Sequence, residues 1–408
     1  MFDKLRQRLH EPSSDQHPIQ LTETPGFKSV VYFSNWSVYQ RKHFAIDIPV
    51  RDVTHIMYAF ISIDVATGRL KFTDEWCDLQ LPMVSPKSPD KKVLGSHQQL
   101  FQMKQLNPNL KVVMSVGGWG TDHMFQAISQ DRSKLHNFVD SCGEFVTEYG
   151  FDGIDIDWEY PRNHEENNSL IELLKGVREK LNTIAPDLSL SIAAPGGDDN
   201  IAVLDLKSLD KYLSFWNLMC YDFAGNGWST KTGFHSNLFG NNGDNNLSVE
   251  SVVSKYVQGG INSRKLVVGM PAYGRAFHGA TFSTIGSAFT KEKPRGCTVE
   301  SDTIDYCKLP IGQEDFDAKK VGALCYSSEQ KCLITYDNVR SVRIKAKYIE
   351  LNRLGGGMWW DSAGDSKDPS LSLVSNFVDQ LGGAGALEQT GNHLSIYGKS
   401  KYLHELVK

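Results

Sequence analysis

The chain has 408 residues, 40% of them hydrophobic and 22% charged, enough apolar side chain for a sizeable core and too regular a mixture for a disordered or fibrous polymer. Lysine and arginine number 43 against 48 aspartate and glutamate, a formal net charge of −5, so there is no basic surplus for a nucleic-acid backbone or an anionic membrane. No apolar run approaches the ~20 residues that span a bilayer.

Residues 1–20 mix charge and polarity throughout and lack the apolar stretch of a secretory signal, so the sequence is expected either to stay inside the cell or to be exported without a conventional leader. From residue 27 onward, β-branched apolar runs alternate with helical patterns. They predict strands at 28–33, 54–62, 111–116, 153–159, 188–193, 215–221, 265–271 and 356–361. Between the fourth and fifth, Leu170, Leu173, Leu174, Val177, Leu181 and Ile184 recur at helical spacing, with Glu172, Lys175 and Glu179 turned away. A second helix is expected over 338–354, on Val339, Val342, Ala346 and Ile349, and a third over 371–381.

Eight strands with intervening helices predict an α/β fold, a (β/α)8 TIM barrel. The open doubly wound sheet is the alternative, but no GxGxxG follows the first strand. The barrel is expected over 27–274 and 338–382. A Gly- and Thr-rich stretch with short strand-like pieces replaces the helix after the seventh strand, and reads as a small α+β insertion over 275–337. Residues 1–26 and 383–408 read as peripheral extensions. Seven cysteines, an odd number without a CxxC pair, give no complete disulfide framework; Cys297/Cys307 and Cys325/Cys332 could pair or remain thiols. The histidines are scattered without an HExxH pair, so neither a metal nor a cofactor is expected.

The chemistry concentrates in FDGIDIDWEYP, residues 151–161. On a strand, Asp155, Asp157 and Glu159 face one way and Ile154, Ile156 and Trp158 the other. Inside a barrel this places three carboxylates in the interior, where repulsion and lost solvation force a proton or strong hydrogen bonds onto at least one. Asp152 is out of phase and serves as well to cap the strand as to catalyse.

These residues, in the form DxxDxDxE, resemble the signature of family 18 glycoside hydrolases, the chitinases. The likeness covers nearly the whole chain: YAF at 58–60, SVGGWG at 115–120, MCYDF at 219–223, MPAYGR at 270–275 and GGMWWD at 356–361 match motifs of the second, third, sixth, seventh and eighth strands. The wording, including GFKSVVYFSNW and LITYDN, is nearest to fungal members of the bacterial-like type.

The resemblance implies hydrolysis of chitin and N-acetylglucosamine oligosaccharides by a retaining, substrate-assisted route, the family being an exception to the two-carboxylate rule. Glu159 would be the general acid, Asp157 would stabilise the oxazolinium intermediate, and Asp155 would share a proton with Asp157. Tyr221 and Asp222 would hold the acetamido group and the sugar, over an apolar floor at Met219. Trp360 would stack under the sugar at the cleaved bond; Trp119, Tyr32, Phe60, Tyr273 and Arg275 would line the cleft. For Tyr32, Phe60 and Trp359, core packing is an equally good account.

The chain departs from the fungal pattern before Asp305 and Tyr306, where TVESDTI stands in place of tryptophans. A lectin-like relative without turnover is the rival, and it conflicts with an intact Glu159. A hydrolase of the chitobiose core of N-glycans is a third reading, set aside because such enzymes lack the large insertion. A monomer without nucleic-acid or membrane partners is expected.

Overall fold

The computed structural model describes residues 26–400, except 241–244, 296 and 300. The extension predicted at 1–26 therefore falls, apart from Gly26, outside the described residues, as do 401–408.

Eight parallel strands close into a ring: β1 (Lys28–Ser34), β2 (His55–Ile63), β3 (Lys111–Gly117), β4 (Gly153–Asp157), β5 (Ser189–Ala194), β6 (Phe215–Leu218), β7 (Leu266–Pro271) and β8 (Gly356–Trp360). Each pairs with the next, and the ring closes where Lys28 of β1 sits in register with Gly356 of β8. The (β/α)8 barrel is thus the one expected from the alternating pattern. Two strands stop two or more residues short of their predicted ends, and both matter for chemistry. The β3–β4 ladder ends with Gly117 opposite Asp157, and β6 ends at Leu218. Glu159 and Tyr221 consequently stand on the turns beyond the strands.

The helix His164–Ile184 buries the predicted stripe Leu170, Leu173, Leu174, Val177 and Leu181 against the barrel. Its first turn is capped by Asn163, whose side chain accepts the Glu166 N–H at 2.9 Å. Each buried leucine contributes about 1.5–3 kcal/mol. Val339–Leu351 likewise buries Val342, Ala346 and Ile349, behind an Asn338–Ser341 capping box. Inside the ring a second, smaller cluster of Val30, Tyr32, Met57, Ala59, Val113, Phe215, Val267 and Met358 fills the barrel.

A five-stranded antiparallel sheet follows β7, in the order Thr303–Asp305, Tyr273–His278, Cys332–Tyr336, Gly322–Ser327, Gln313–Asp317. Its first strand in the chain begins at Tyr273, two residues past β7 and ahead of the predicted start at 275. Strand alternation then puts Tyr273 and Arg275 on one face. All seven cysteines are free thiols.

The segment after residue 383 runs under the barrel. Phe27 donates to the Ala386 carbonyl and Glu388 to that of Phe27, each at 2.9 Å. The Glu388 carboxylate meets Lys28 and Lys111 at 2.5 and 3.2 Å, at the starts of β1 and β3. The His393 N–H donates to Asp152 at 2.8 Å. Asp152, fully buried, also takes the Lys104 ammonium at 2.6 Å and the Val112 N–H at 2.7 Å. It is a structural anchor at the end of the barrel away from Glu159.

Candidate active site

The strands' C-terminal ends open into a cleft of about 1240 Å³. Asp157, Glu159, Tyr221, Asp222, Met219, Trp119, Trp360, Tyr32, Phe60, Tyr273 and Arg275 all line it; of the predicted site residues only Asp155 lies beneath its surface. The sequence motifs are therefore gathered at one end of the barrel, in the position typical of active sites on this architecture.

On β4 the alternation separates two environments. Ile154 and Ile156 pack outward among the helices, and the Trp158 ring stacks on Phe125 at 5.2 Å. Inward, four donors converge on Asp155: Tyr32 Oη at 2.8 Å, Ser115 Oγ at 2.8 Å, Ser191 Oγ at 2.6 Å and the Asn217 amide at 3.4 Å. Burial pushes the Asp155 carboxyl above its ordinary range, and these donors work against the shift. Asp157 has no such support. Its Oδ1 is buried without a hydrogen-bond partner. Burial, then the charges of Glu159 and Asp155, hold its carboxyl well above the usual range. Burial also raises Glu159, to about 7, with Asp222 adding to the rise and Tyr160 opposing it.

Close backbone approach makes this possible. Gly117 and Gly118 have φ of 116° and 98°. A Cβ at Gly117 would lie 2.3 Å from the Asp157 carbonyl oxygen, and one at Gly118 2.6 Å from the Phe60 ring. Only glycine fits both the conformation and the space.

Across the cleft, Asp222 adopts a left-handed backbone with φ of 59°. Arg275 grips its carboxylate with Nε and Nη2 at 2.7 and 2.5 Å, and the Tyr273 hydroxyl donates at 2.7 Å. Burial would raise the Asp222 carboxyl, but His235 and Arg275 outweigh it and hold the group well below the ordinary range. A fixed carboxylate is thus presented beside Glu159.

The aromatic lining is continuous. Trp360 stacks on Phe60 at 5.6 Å and tilts against Tyr32 at 5.5 Å, while Trp36 lies 6.0 Å from Phe60. Phe60 and Trp360 therefore face the cleft, while Trp359 packs on Phe377 in the core. Trp119 is 80% exposed and Trp228 52%. Arg275 lies over the Trp228 ring at 5.0 Å. Flat apolar faces among fixed polar groups suit pyranose rings, whose C–H faces are apolar and whose edges carry hydroxyls.

Sequence reasoning missed Trp36, Trp228, Tyr160 and Arg41 in this lining. Arg41 bridges Asp361 at the end of β8 and Asp305 of the second sheet, at 2.7 and 2.8 Å. Tyr160, adjoining Glu159 within the signature itself, was the one with a signal to follow. Ile304, which stands where a tryptophan was looked for, does reach the cleft.

Comparison with known proteins agrees with this geometry. The family model of the glycosyl hydrolases family 18 matches residues 28–365. Sporulation-specific chitinase 2 of Saccharomyces cerevisiae is 37% identical, the match covering 91% of this chain and 81% of that protein. Endochitinase 1 of Metarhizium robertsii is 32% identical over 97% of this chain and 93% of its own length. Among solved structures, the catalytic domain of psychrophilic chitinase B from Arthrobacter TAD20 superposes with a TM-score of 0.81 at 27% identity, covering 90% of this chain and 98% of that one. A class V chitinase from Nicotiana tobaccum, solved in complex with NAG4, superposes at 0.72 with 25% identity, covering 88% and 99%.

Proposed function

Because the chain belongs to glycosyl hydrolase family 18, we propose that it cleaves the β-1,4 bonds of chitin and its N-acetylglucosamine oligomers with the substrate's own acetamido group as nucleophile. It is a chitinase-like glycoside hydrolase, and the proposal concerns how this cleft performs the reaction. The observation that carries it is the buried, unpartnered Oδ1 of Asp157 beside Glu159 in the cleft.

Glu159, raised to about 7, keeps its proton on a large fraction of molecules near neutral pH and delivers it to the glycosidic oxygen as the bond breaks. The acetamido carbonyl oxygen closes on the anomeric carbon, an intramolecular attack that removes much of the entropic barrier. Asp157 accepts the acetamido N–H, which satisfies the orphaned oxygen and stabilises the positive charge of the oxazolinium ring. Tyr221 and Asp222 position the acetamido group and the sugar, and Trp360 supports the ring from below. Glu159, now ionised, takes a proton from the water that attacks the anomeric carbon on the face the leaving group has vacated, opposite the acetamido oxygen, whose bond to that carbon breaks. The product keeps the β configuration. Asp155, saturated by four donors, fixes the orientation of β4's acidic face and balances the charge beneath Asp157.

Glu159→Gln tests the assignment: it should lower turnover of N-acetylglucosamine hexamer by about 10²–10⁴-fold while retaining binding. If the unaltered protein binds the hexamer and releases no reducing ends, the lectin-like reading replaces this one.

A further inference from the structure

His235 takes no part in the reaction just described, yet it is fully buried behind Asp222. Its Nδ1 lies 3.6 Å from Asp222 Oδ1, just beyond hydrogen-bond length, and neither ring nitrogen has another partner. The imidazole rests on the Tyr273 ring at 5.2 Å. Tyr273 and Arg275 bind the same carboxylate from the other side. Asp222 is therefore enclosed by three polar side chains, of which only the imidazole is neither directly bonded to it nor visible from the cleft.

The segment bearing His235 is itself clamped to the Asp222 turn. The Phe223 N–H donates to the His235 carbonyl at 3.2 Å, and Ser236 Oγ donates to the Cys220 carbonyl at 2.9 Å. Ser236 is fixed in turn by Lys345, whose ammonium reaches its carbonyl at 2.6 Å and its hydroxyl at 2.8 Å. Lys345 and its partner Asp337, 2.5 Å away, are both buried. Residues 220–223 are thus held on both sides of Asp222, whose left-handed backbone is uncommon for a side-chain-bearing residue and persists where its surroundings over-determine it.

We propose that His235 is a positioning residue of the hydrolytic site, its Nδ1–H directed at Asp222 from 3.6 Å and so favouring both the orientation and the ionised state of the carboxylate beside Glu159. The charged and titratable groups facing the imidazole are Asp222, Arg275 and Tyr273 on the cleft side, with Asp337 and Lys345 behind Ser236. Burial lowers the imidazole's own proton affinity, so near neutral pH the ring is uncharged, turns its N–H dipole to Asp222 and adds no second cation beside Glu159. Loss of the donor lets Asp222 take up a proton at higher pH, and the acid side of the activity profile moves upward.

This inference rests on the hydrolytic reading above, and His235→Phe against His235→Asn on N-acetylglucosamine hexamer separates the two. Phenylalanine keeps the ring on Tyr273 and deletes the donor; asparagine places an amide near Nδ1. The phenylalanine variant should lose about tenfold in kcat with its acid limb displaced to higher pH. The asparagine variant should return kcat to within about threefold and restore the limb. A phenylalanine variant with unchanged thermal midpoint and an unmoved acid limb overturns the inference while leaving the reading intact. An equal loss in both variants with neither limb moved reduces His235 to packing and also overturns it. An unaltered protein that does not hydrolyse the hexamer overturns both.

Discussion

Asp155 and Asp157 lie two residues apart on one face of β4 and meet opposite surroundings: four donors converge on Asp155, whereas Asp157 Oδ1 is buried with none. An unsatisfied buried carboxylate oxygen costs on the order of 1–3 kcal/mol or more. Such a cost is retained where a substrate group completes the bond.

Asp157→Asn should accordingly stabilise the protein while disabling it. The folded-state pKa of Asp157 is raised, so the folded protein binds the proton more tightly than the unfolded chain. This group's contribution favours folding least above that raised value and improves as pH falls through it. Thermal melting of the asparagine variant should therefore exceed that of the unaltered protein at pH 8 and converge with it in acid, while turnover falls by about 10² or more. Destabilisation at pH 8 would count against the orphaned-oxygen reading.

The alkaline side of the activity profile belongs to Glu159, which must be protonated and is raised to about 7. Tyr160 opposes that rise, so Tyr160→Phe should move the alkaline limb of kcat to higher pH. The check is a full pH profile of both proteins on the same oligomer; a limb that stays in place or moves down contradicts the assignment.

Trp360→Ala should raise KM and reduce kcat together, because the ring touches Tyr32 and Phe60 as well as the proposed sugar site. Each aromatic pair that Trp360 makes with Tyr32 and Phe60 is worth about 0.5–1.5 kcal/mol beyond its buried area, and the sugar contact is lost with them, so a combined loss in kcat/KM of about tenfold or more is expected. Trp359→Phe, in the core against Phe377, should instead lower thermal stability with little change in KM.

At the opposite end of the barrel, Lys104→Met leaves Asp152 buried without its ammonium and should cost about 3–5 kcal/mol. Although burial alone would raise it, Lys104 and the His393 and Val112 contacts bring Asp152 down to about 2. Its contribution is present above the ordinary carboxylate pKa and is lost as pH falls toward 2. Denaturant titrations at pH 7 and pH 3 check both points: the difference between the two proteins should shrink in acid.

Much of this was readable in the chain because barrel strands carry strict alternation. Asp155, Asp157 and Glu159 announce one face, and the apolar runs of β1 to β8 need no partner to be recognised. Trp36, Trp228 and Arg41 were not legible: the first sits in a single 3-10 turn after β1 and the others in irregular turns, where no period says which way a side chain points. The role of residues 384–400 was hidden for a similar reason. Gly and polar residues there look peripheral, yet Glu388 and the His393 backbone gain their meaning from Lys28, Lys111 and Asp152, far away in sequence. The ends of β4 and β6 were misplaced because the same motifs that pattern like strands continue into the turns that carry Glu159 and Tyr221.

The central claim is that the substrate's acetamido group attacks the anomeric carbon with Asp157 at its N–H. The most direct measurement is the identity of new reducing ends released from partially N-acetylated chitosan. The account predicts N-acetylglucosamine at essentially every new reducing end, even where glucosamine predominates in the polymer. Glucosamine at new reducing ends in proportion to its abundance would contradict it.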